Sequence, residues 1–233
     1  MNNIRVAALI MVCSILGSSF SALADEAVFR KGNTYINLGG GILSLEDIGQ
    51  SLSSAGSVFG ITYSASATTT YTFDTGYQIY GGIGHNLTEN LSYELDLGYS
   101  WADYNTVSSS ATVVATALGS SLTLTGSQTL NVDGTVSGLS VMNSLIAKFG
   151  NAQFNPYIGA GLGLVYFQDE VNTIGSLTVN GERSGTAPGG ALIGGIDAGA
   201  LGLRYKYIWA ATGENGFDDA TAHAITANYK VPF

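Results

Sequence analysis

The sequence predicts an all-β fold, an eight-stranded antiparallel up-and-down transmembrane β-barrel. Three observations predict it: an export signal at the N-terminus, period-2 alternation along the rest, and an alternation of short and long connections. Composition sets the frame. Only 11% of the 233 residues are charged, yet the formal net charge is −9, and glycine supplies 32 residues against 3 prolines. So little charge, with 45% hydrophobic residues, excludes a disordered chain. The acid excess argues against nucleic acid as a partner. The single cysteine, Cys13, lies inside the export signal, which excludes a disulfide scaffold and a cysteine-based zinc site.

Residues 1–24 read as a cleaved signal peptide, and 25–233 as the barrel domain. Arg5 supplies the positive start, and Val6 to Leu16 the apolar stretch. Ser21-Ala22-Leu23-Ala24 then offers the small-x-small pattern of a cleavage site, leaving Asp25 as the new N-terminus. The apolar stretch is too short for a membrane anchor helix. Val12 stands before Cys13 where a lipoprotein would need a small residue. Loss of Arg5 takes the net charge from −9 to −10.

Beyond the signal no apolar run reaches helix-spanning length. The clearest strand is Leu91 to Trp101, LSYELDLGYSW, whose odd positions are large and apolar and whose even positions are small or polar. Strands project successive side chains to opposite faces, so this segment has one fatty and one polar face. Leu201 to Trp209 and His223 to Phe233 repeat the pattern, as do Phe73 to His85 and Pro156 to Phe167. Leu139 to Phe149 follows it except for Asn143 on the apolar parity. Thr34 to Ser44 and Pro188 to Asp197 are glycine-rich and show it least.

Short connections fall at 85–91, 149–155 and 197–201. Long ones fall at about 45–72, 102–134, 168–187 and 210–221. The alternation fits short periplasmic turns and long external loops. A soluble β-sandwich or lipocalin-like barrel would carry much more charge on its polar face. Here that face is mostly glycine, serine, threonine and asparagine. Aromatics also sit at strand ends, where a membrane girdle wants them: Phe73, Tyr99, Trp101, Phe149, Tyr207 and Trp209.

NPYIGAGLGLVY at 155–166, LSYELDLGYSW at 91–101, GLRYKY at 202–207 and the closing ITANYKVPF resemble segments of the small Gram-negative outer-membrane β-barrel family. That family includes the opacity-type surface proteins, the transmembrane domain of outer membrane protein A and porin-family proteins. The resemblance covers nearly all of 25–233. It implies location in a Gram-negative outer membrane after export through the periplasm. It also implies delivery by the barrel-assembly machinery, which reads a terminal aromatic, here Phe233. Two departures stand out. Pro232 removes a ladder donor from the last strand. No peptidoglycan-binding domain is expected after Phe233.

In an eight-stranded barrel, strands four apart face each other across a lumen that side chains can fill. Glu94 and Asp96 on the third span and Arg204 and Lys206 on the seventh share inward parity and similar depth. The expectation is a lumen charge network of these four that plugs the barrel. Lys148 and Lys230 are also expected inside, near the periplasmic rim. The alternative is separate hydrated charges in a wet lumen. The external loops hold ten acids (Glu46, Asp47, Asp103, Asp133, Asp169, Glu170, Glu182, Glu214, Asp218 and Asp219) against one base, Arg183. Such a surface suits a basic patch on a host or envelope protein, or a divalent-cation bridge to lipopolysaccharide.

Residues 107–130 contain no charge and are rich in strand-forming Thr and Val. They are expected to prolong two spans as a protruding hairpin, with ten membrane strands as the alternative. An enzyme is not expected. His85 lies at a turn, and His223 has no evident Ser or Asp partner along its strand. No cofactor or metal is implied: there is no cluster of His or Cys, and the glycine runs at 39–41 and 159–163 sit within strands with no helix following. Two roles follow. One is a surface scaffold displaying loops for structural, adhesion or host-interaction purposes; the other is a small diffusion porin.

Overall fold

The computed structural model describes residues 31–150, 154–211 and 220–233. The signal peptide lies outside them. Ten strands follow in order: β1 (Thr34–Leu45), β2 (Ile48–Val58), β3 (Ile61–Phe73), β4 (Gly76–Asn86), β5 (Leu91–Ala117), β6 (Ser120–Lys148), β7 (Asn155–Ile174), β8 (Leu177–Ala198), β9 (Leu201–Ala210) and β10 (Ala220–Pro232). Every pairing among them is antiparallel. Eight of the ten close a ring, from β1 through β4, β5, β6, β7, β8 and β9 to β10, which pairs with β1 again. A closed ring leaves no open edge across its span.

The ring is inverted relative to a soluble barrel. Leu95, Leu97, Leu145, Ile158, Leu162, Leu203 and Ile225 point outward and are exposed, while Glu94, Asp96, Lys148, Arg204 and Lys230 are buried. Alternation with the charged side inward suits lipid outside and protein inside. No described helix is long and apolar enough to cross a membrane. Asn143, a polar residue on the outward face of β6, accepts a hydrogen bond from Tyr93 on β5, so its amide oxygen does not meet lipid alone.

The long connections are largely strand. Residues 45–72, expected as a loop, form the β2–β3 hairpin, and β3 lies along the far part of β5 from Thr62 opposite Thr116 to Tyr71 opposite Val107. Ser/Gly/Ala-rich β2 has little hydrophobic contrast, which hides its period; pairing supplies the order. Residues 107–130 prolong β5 and β6 as one continuous hairpin closed at Leu118-Gly119. The ten-stranded barrel is therefore overturned: these residues pair above the ring instead of entering it. β7 and β8 also run on to a hairpin at Ile174–Leu177. The tips of the first two hairpins hold Phe59 (φ 50) with Gly60 (φ 79) and Leu118 (φ 50) with Gly119 (φ 82), positive at both central residues as a type I′ turn requires. Phe and Leu are costly there, and both are fully exposed.

At the other end the chain turns briefly. Thr34 and His85 share a side-chain hydrogen bond of 3.1 Å beside the β1–β4 pairing. Pro232 sits opposite Tyr35 at the very end of β10, where one missing donor matters least, and the amide of Phe233 still donates to Thr34 O at 3.0 Å.

Candidate functional site

The site is built from inward side chains of β5 and β9, four positions apart in the ring. Strand alternation sends Glu94 and Asp96 inward from β5, and Arg204 and Lys206 inward from β9. Arg204 Nη2 donates to Glu94 Oε2 at 2.8 Å, and Arg204 Nη1 lies 3.6 Å from Asp96 Oδ2. Lys206 Nζ donates to the same Asp96 oxygen at 3.0 Å. Below this layer Lys230 Nζ donates to Asp197 Oδ2 at 2.5 Å and lies 4.0 Å from Glu94 Oε1. Lys148 Nζ donates to Asn86 Oδ1 at 2.6 Å, and Ser92 donates to the same oxygen at 2.8 Å. None of these side chains is more than marginally exposed. Buried charges persist when paired and hydrogen-bonded, and each of these has at least one such partner.

Three tyrosines wall the network. Tyr35 OH donates to Glu94 Oε1 at 2.6 Å, and Arg204 Nε donates to Tyr157 OH at 3.2 Å. The Arg204 guanidinium lies 5.4 Å from the Tyr80 ring centroid and 5.6 Å from that of Tyr157. Lys206 sits 4.7 Å from the Tyr80 ring, and Lys230 sits 5.3 Å from the Tyr35 ring and 5.1 Å from the Tyr157 ring. Cation–π contact is worth most where the cation is desolvated, as here. Each tyrosine faces a glycine on the neighbouring strand: Tyr35 faces Gly84, Tyr80 faces Gly39, and Tyr157 faces Gly195. A Cβ at any of those glycines would run into the ring. The glycines are thus beds for tyrosines that fill the lumen. Towards the hairpin end Leu43, Ala222 and Ala224 form an apolar layer with Ile208.

Asp197, Tyr35, Tyr80 and Tyr157 also belong to this site, and strand parity alone does not single them out. Asp197 shares inward parity with Ala191 and Ile193, yet it closes a strand whose glycines blur the alternation. Tyrosine draws the eye to the membrane girdle. The usable signal is a tyrosine in register with a glycine.

The outward aromatics divide. Tyr99 packs against Trp101 at 5.7 Å, Tyr77 against Trp101 at 5.8 Å, and Tyr207 against Trp209 at 6.3 Å, all towards the hairpin end of the outward face. Phe149 and Phe233 are exposed at the short-turn end. Phe73 belongs elsewhere: it ends β3 and packs on Tyr104 at 4.9 Å, and Tyr71 meets the same ring edge-on at 6.0 Å. Phe73 lies opposite Tyr104 next to a register shift in the β3–β5 pairing, whereas Tyr77 on β4 lies opposite Trp101.

The acids gather where the ring meets the hairpins. Asp103 accepts from Thr135 at 2.8 Å, Asp169 accepts from Tyr104 at 2.7 Å, and Glu182 accepts from Gln168 at 2.9 Å. Arg183 lies opposite Asp169 in the β7–β8 register. Glu214, Asp218 and Asp219 lie outside the described residues. His223, with no Ser or Asp partner along its own strand, is engaged across strands. Its Nε2 lies 2.9 Å from Glu46 Oε1, and its Nδ1 lies 2.7 Å from Tyr205 OH. Thr221 donates to the second oxygen of Glu46. These hydrogen bonds, Thr221 first, hold the Glu46 carboxyl below the ordinary carboxylate range.

That shift fixes a sign. A carboxylate whose folded pKa is depressed stabilises the fold above its unfolded pKa, and the contribution is lost as pH falls through the folded value. The clasp between Glu46 and β10 should therefore hold at neutral pH and loosen only in acid, below the usual carboxylate range. Amide hydrogen exchange at Thr221 and His223 should rise there in the wild type, and should be raised already at pH 7 in Glu46→Gln. Equal exchange in the two proteins at pH 7 would refute the clasp.

Among the described residues no group of three His, Cys, Asp or Glu gathers as metal ligands would. No protein-family model matches the chain, and no curated protein matches it in sequence. Solved structures do. One is Ail, the attachment invasion locus protein of Yersinia pestis, in complex with the heparin analogue sucrose octasulfate; it is 9% identical, with a TM-score of 0.46, over 87% of this chain and 100% of that one. Neisserial surface protein A is 17% identical with a TM-score of 0.40, over 86% of this chain and 97% of that one. The outer membrane protein OprG from Pseudomonas aeruginosa is 13% identical with a TM-score of 0.43, over 88% of this chain and 99% of that one.

Proposed function

We propose that this chain is an integral protein of the Gram-negative outer membrane, exported through the periplasm, whose lumen is sealed by its own side chains and whose long hairpins stand outside the cell. The role is display: an acidic rim and a raised sheet offered to envelope or host proteins, with no catalysis. The single observation that carries the reading is the ionic layer across the lumen, Arg204 with Glu94 and Lys206 with Asp96, at 2.8 and 3.0 Å. A ring of this size is just wide enough for side chains to fill, and paired charges backed by three tyrosines occupy that width. The outward apolar belt supports contact with outer-membrane lipid. Exposed Phe233 supports reading by the barrel-assembly machinery, and the acid-rich rim supports divalent-cation bridging to lipopolysaccharide.

A diffusion-pore reading has one observation in its favour. Asn37 Nδ2, Gln78 Oε1, Ser144 Oγ and Asn228 Oδ1 are buried without a protein partner, as groups served by lumen water would be. Single-channel recording in planar bilayers separates the two. The refolded wild type should be silent, and Arg204→Gln and Glu94→Gln should show openings. Steady conductance by the wild type would overturn the seal and make the four central charges a selectivity filter.

A further inference from the structure

The distal sheet differs from everything beneath it. Neither the β2–β3 hairpin nor residues 105–132 of β5 and β6 contain Asp, Glu, Lys, Arg or His. The acids Glu46, Asp47, Asp103 and Asp133 stop at its base. The sheet is amphipathic. In register across β3, β5 and β6, Ser66, Thr112 and Thr125 share one face, and Ala65, Val113 and Leu124 the other. Its outer edge is residues 120–130 of β6. Below them β6 pairs with β7 from Val132 opposite Ile174, and Gly175 donates to Asn131 O at 2.8 Å. Among the described residues, 120–130 pair with β5 alone.

An open edge is normally guarded by lysine, proline or a bulge. Residues 120–130 have no charge and no proline, and their register with β5 is unbroken. The run Leu122-Thr123-Leu124-Thr125 is well suited to strand pairing. The β2 edge is weaker, with Gly49 and Gly56 inside it.

Charge chooses the occupant. A basic partner is drawn to the acidic rim. The distal edge offers it nothing, whereas an uncharged edge meets an identical uncharged edge without repulsion. Two acidic rims would repel, but at about 3.3 Å per residue the edge rises roughly 35 Å above its rim. That exceeds the Debye length of about 8 Å at physiological ionic strength. Antiparallel pairing is the stronger and commoner ladder. A strand can pair antiparallel with its own copy only across a two-fold axis that reverses its direction. With the axis normal to the sheet, residues of like parity fall opposite each other, so the face carrying Leu122, Leu124 and Leu130 continues into the same face of the copy, and the face carrying Thr123, Thr125 and Thr129 into its own counterpart. Reversal also places the two barrels at opposite ends of the joined sheet, in two facing membranes.

We infer that residues 120–130 of β6 are a self-recognition edge, which pairs antiparallel with the same edge of a second copy on an opposed membrane. The inference rests on the outer-surface placement proposed above. The test uses the full mature chain in two populations of phosphatidylcholine vesicles carrying different dyes, hairpins outward, with clustering read by two-colour fluorescence cross-correlation. The wild type should cluster vesicles only when both populations carry protein. Thr123→Lys/Thr125→Lys sets like charges opposite each other across the axis, and should cut clustering at least tenfold while the barrel keeps its heat-modifiable folded band. Ser51→Lys/Ser53→Lys on β2 should leave clustering unchanged. Clustering that needs protein in one population only would make lipid the partner and overturn the inference. So would clustering that survives the β6 lysines, loss through the β2 lysines instead, or a wild type that never clusters. Protease shaving of the hairpins on intact cells reads the outer-surface placement separately, so failure of one reading is distinguishable from failure of the other.

Discussion

Arg204→Met should lower the unfolding free energy of the refolded barrel by about 3–5 kcal/mol, the cost of leaving a buried charge without its partner. Arg204 and Glu94 are both 0% exposed, so water does little to screen the loss. The substitution keeps most of the volume, which isolates charge from packing. Glu94 would retain the Tyr35 hydroxyl at 2.6 Å and Lys230 at 4.0 Å, which places the effect towards the lower end of that range. The companion variant Glu94→Gln should cost less, because Arg204 keeps Asp96 and Tyr157 as neighbours. The double variant should lose much less than the sum of the two, since removing both charges leaves neither stranded. Urea unfolding in lipid vesicles, followed by tryptophan fluorescence, measures all three. Additive losses would mean that the two side chains do not depend on each other and are hydrated separately.

What the sequence reveals of this network, and what it hides, has one cause. A strand writes its sidedness as period two, and the writing is clear where outward residues are large and inward ones polar. Leu91 to Trp101 and Leu201 to Trp209 have that contrast, so parity alone places Glu94, Asp96, Arg204 and Lys206 inside. Where inward positions alternate between glycine and tyrosine the contrast reverses locally. Tyr80 in β4 is as large as its outward neighbours Ile79 and Ile83, so parity cannot be read from size there. The information is held between strands: Tyr80 is recognisable as a lumen residue only once Gly39 is known to lie opposite. The clasp at His223 is hidden for the same reason, because Glu46 comes from the far end of the chain. The β2–β3 hairpin is hidden differently. Its serines, alanines and glycines carry almost no amphipathic signal, and it takes its strand form from the edge that β5 offers it.

Leu97→Arg and Leu52→Arg should separate sharply although both leucines are exposed, at 54% and 72%. Leu97 lies mid-span on the outward face of β5, where a barrel's wall meets hydrocarbon. An arginine at that depth costs about 2–4 kcal/mol. Leu52 stands on the β2–β3 hairpin above the ring, in water, where the same change on an exposed strand should be within about 0.5 kcal/mol of neutral. Exposure by itself cannot distinguish the two sites. Only the identity of the solvent does, so the pair measures where the membrane begins. Folding into vesicles and equilibrium urea unfolding give the two losses on one scale. Equal small losses would mean that Leu97 faces water and that the apolar belt is not a lipid surface. Equal large losses would mean that the β2–β3 hairpin lies within the bilayer, and the raised sheet with its uncharged edge could not then reach a second membrane.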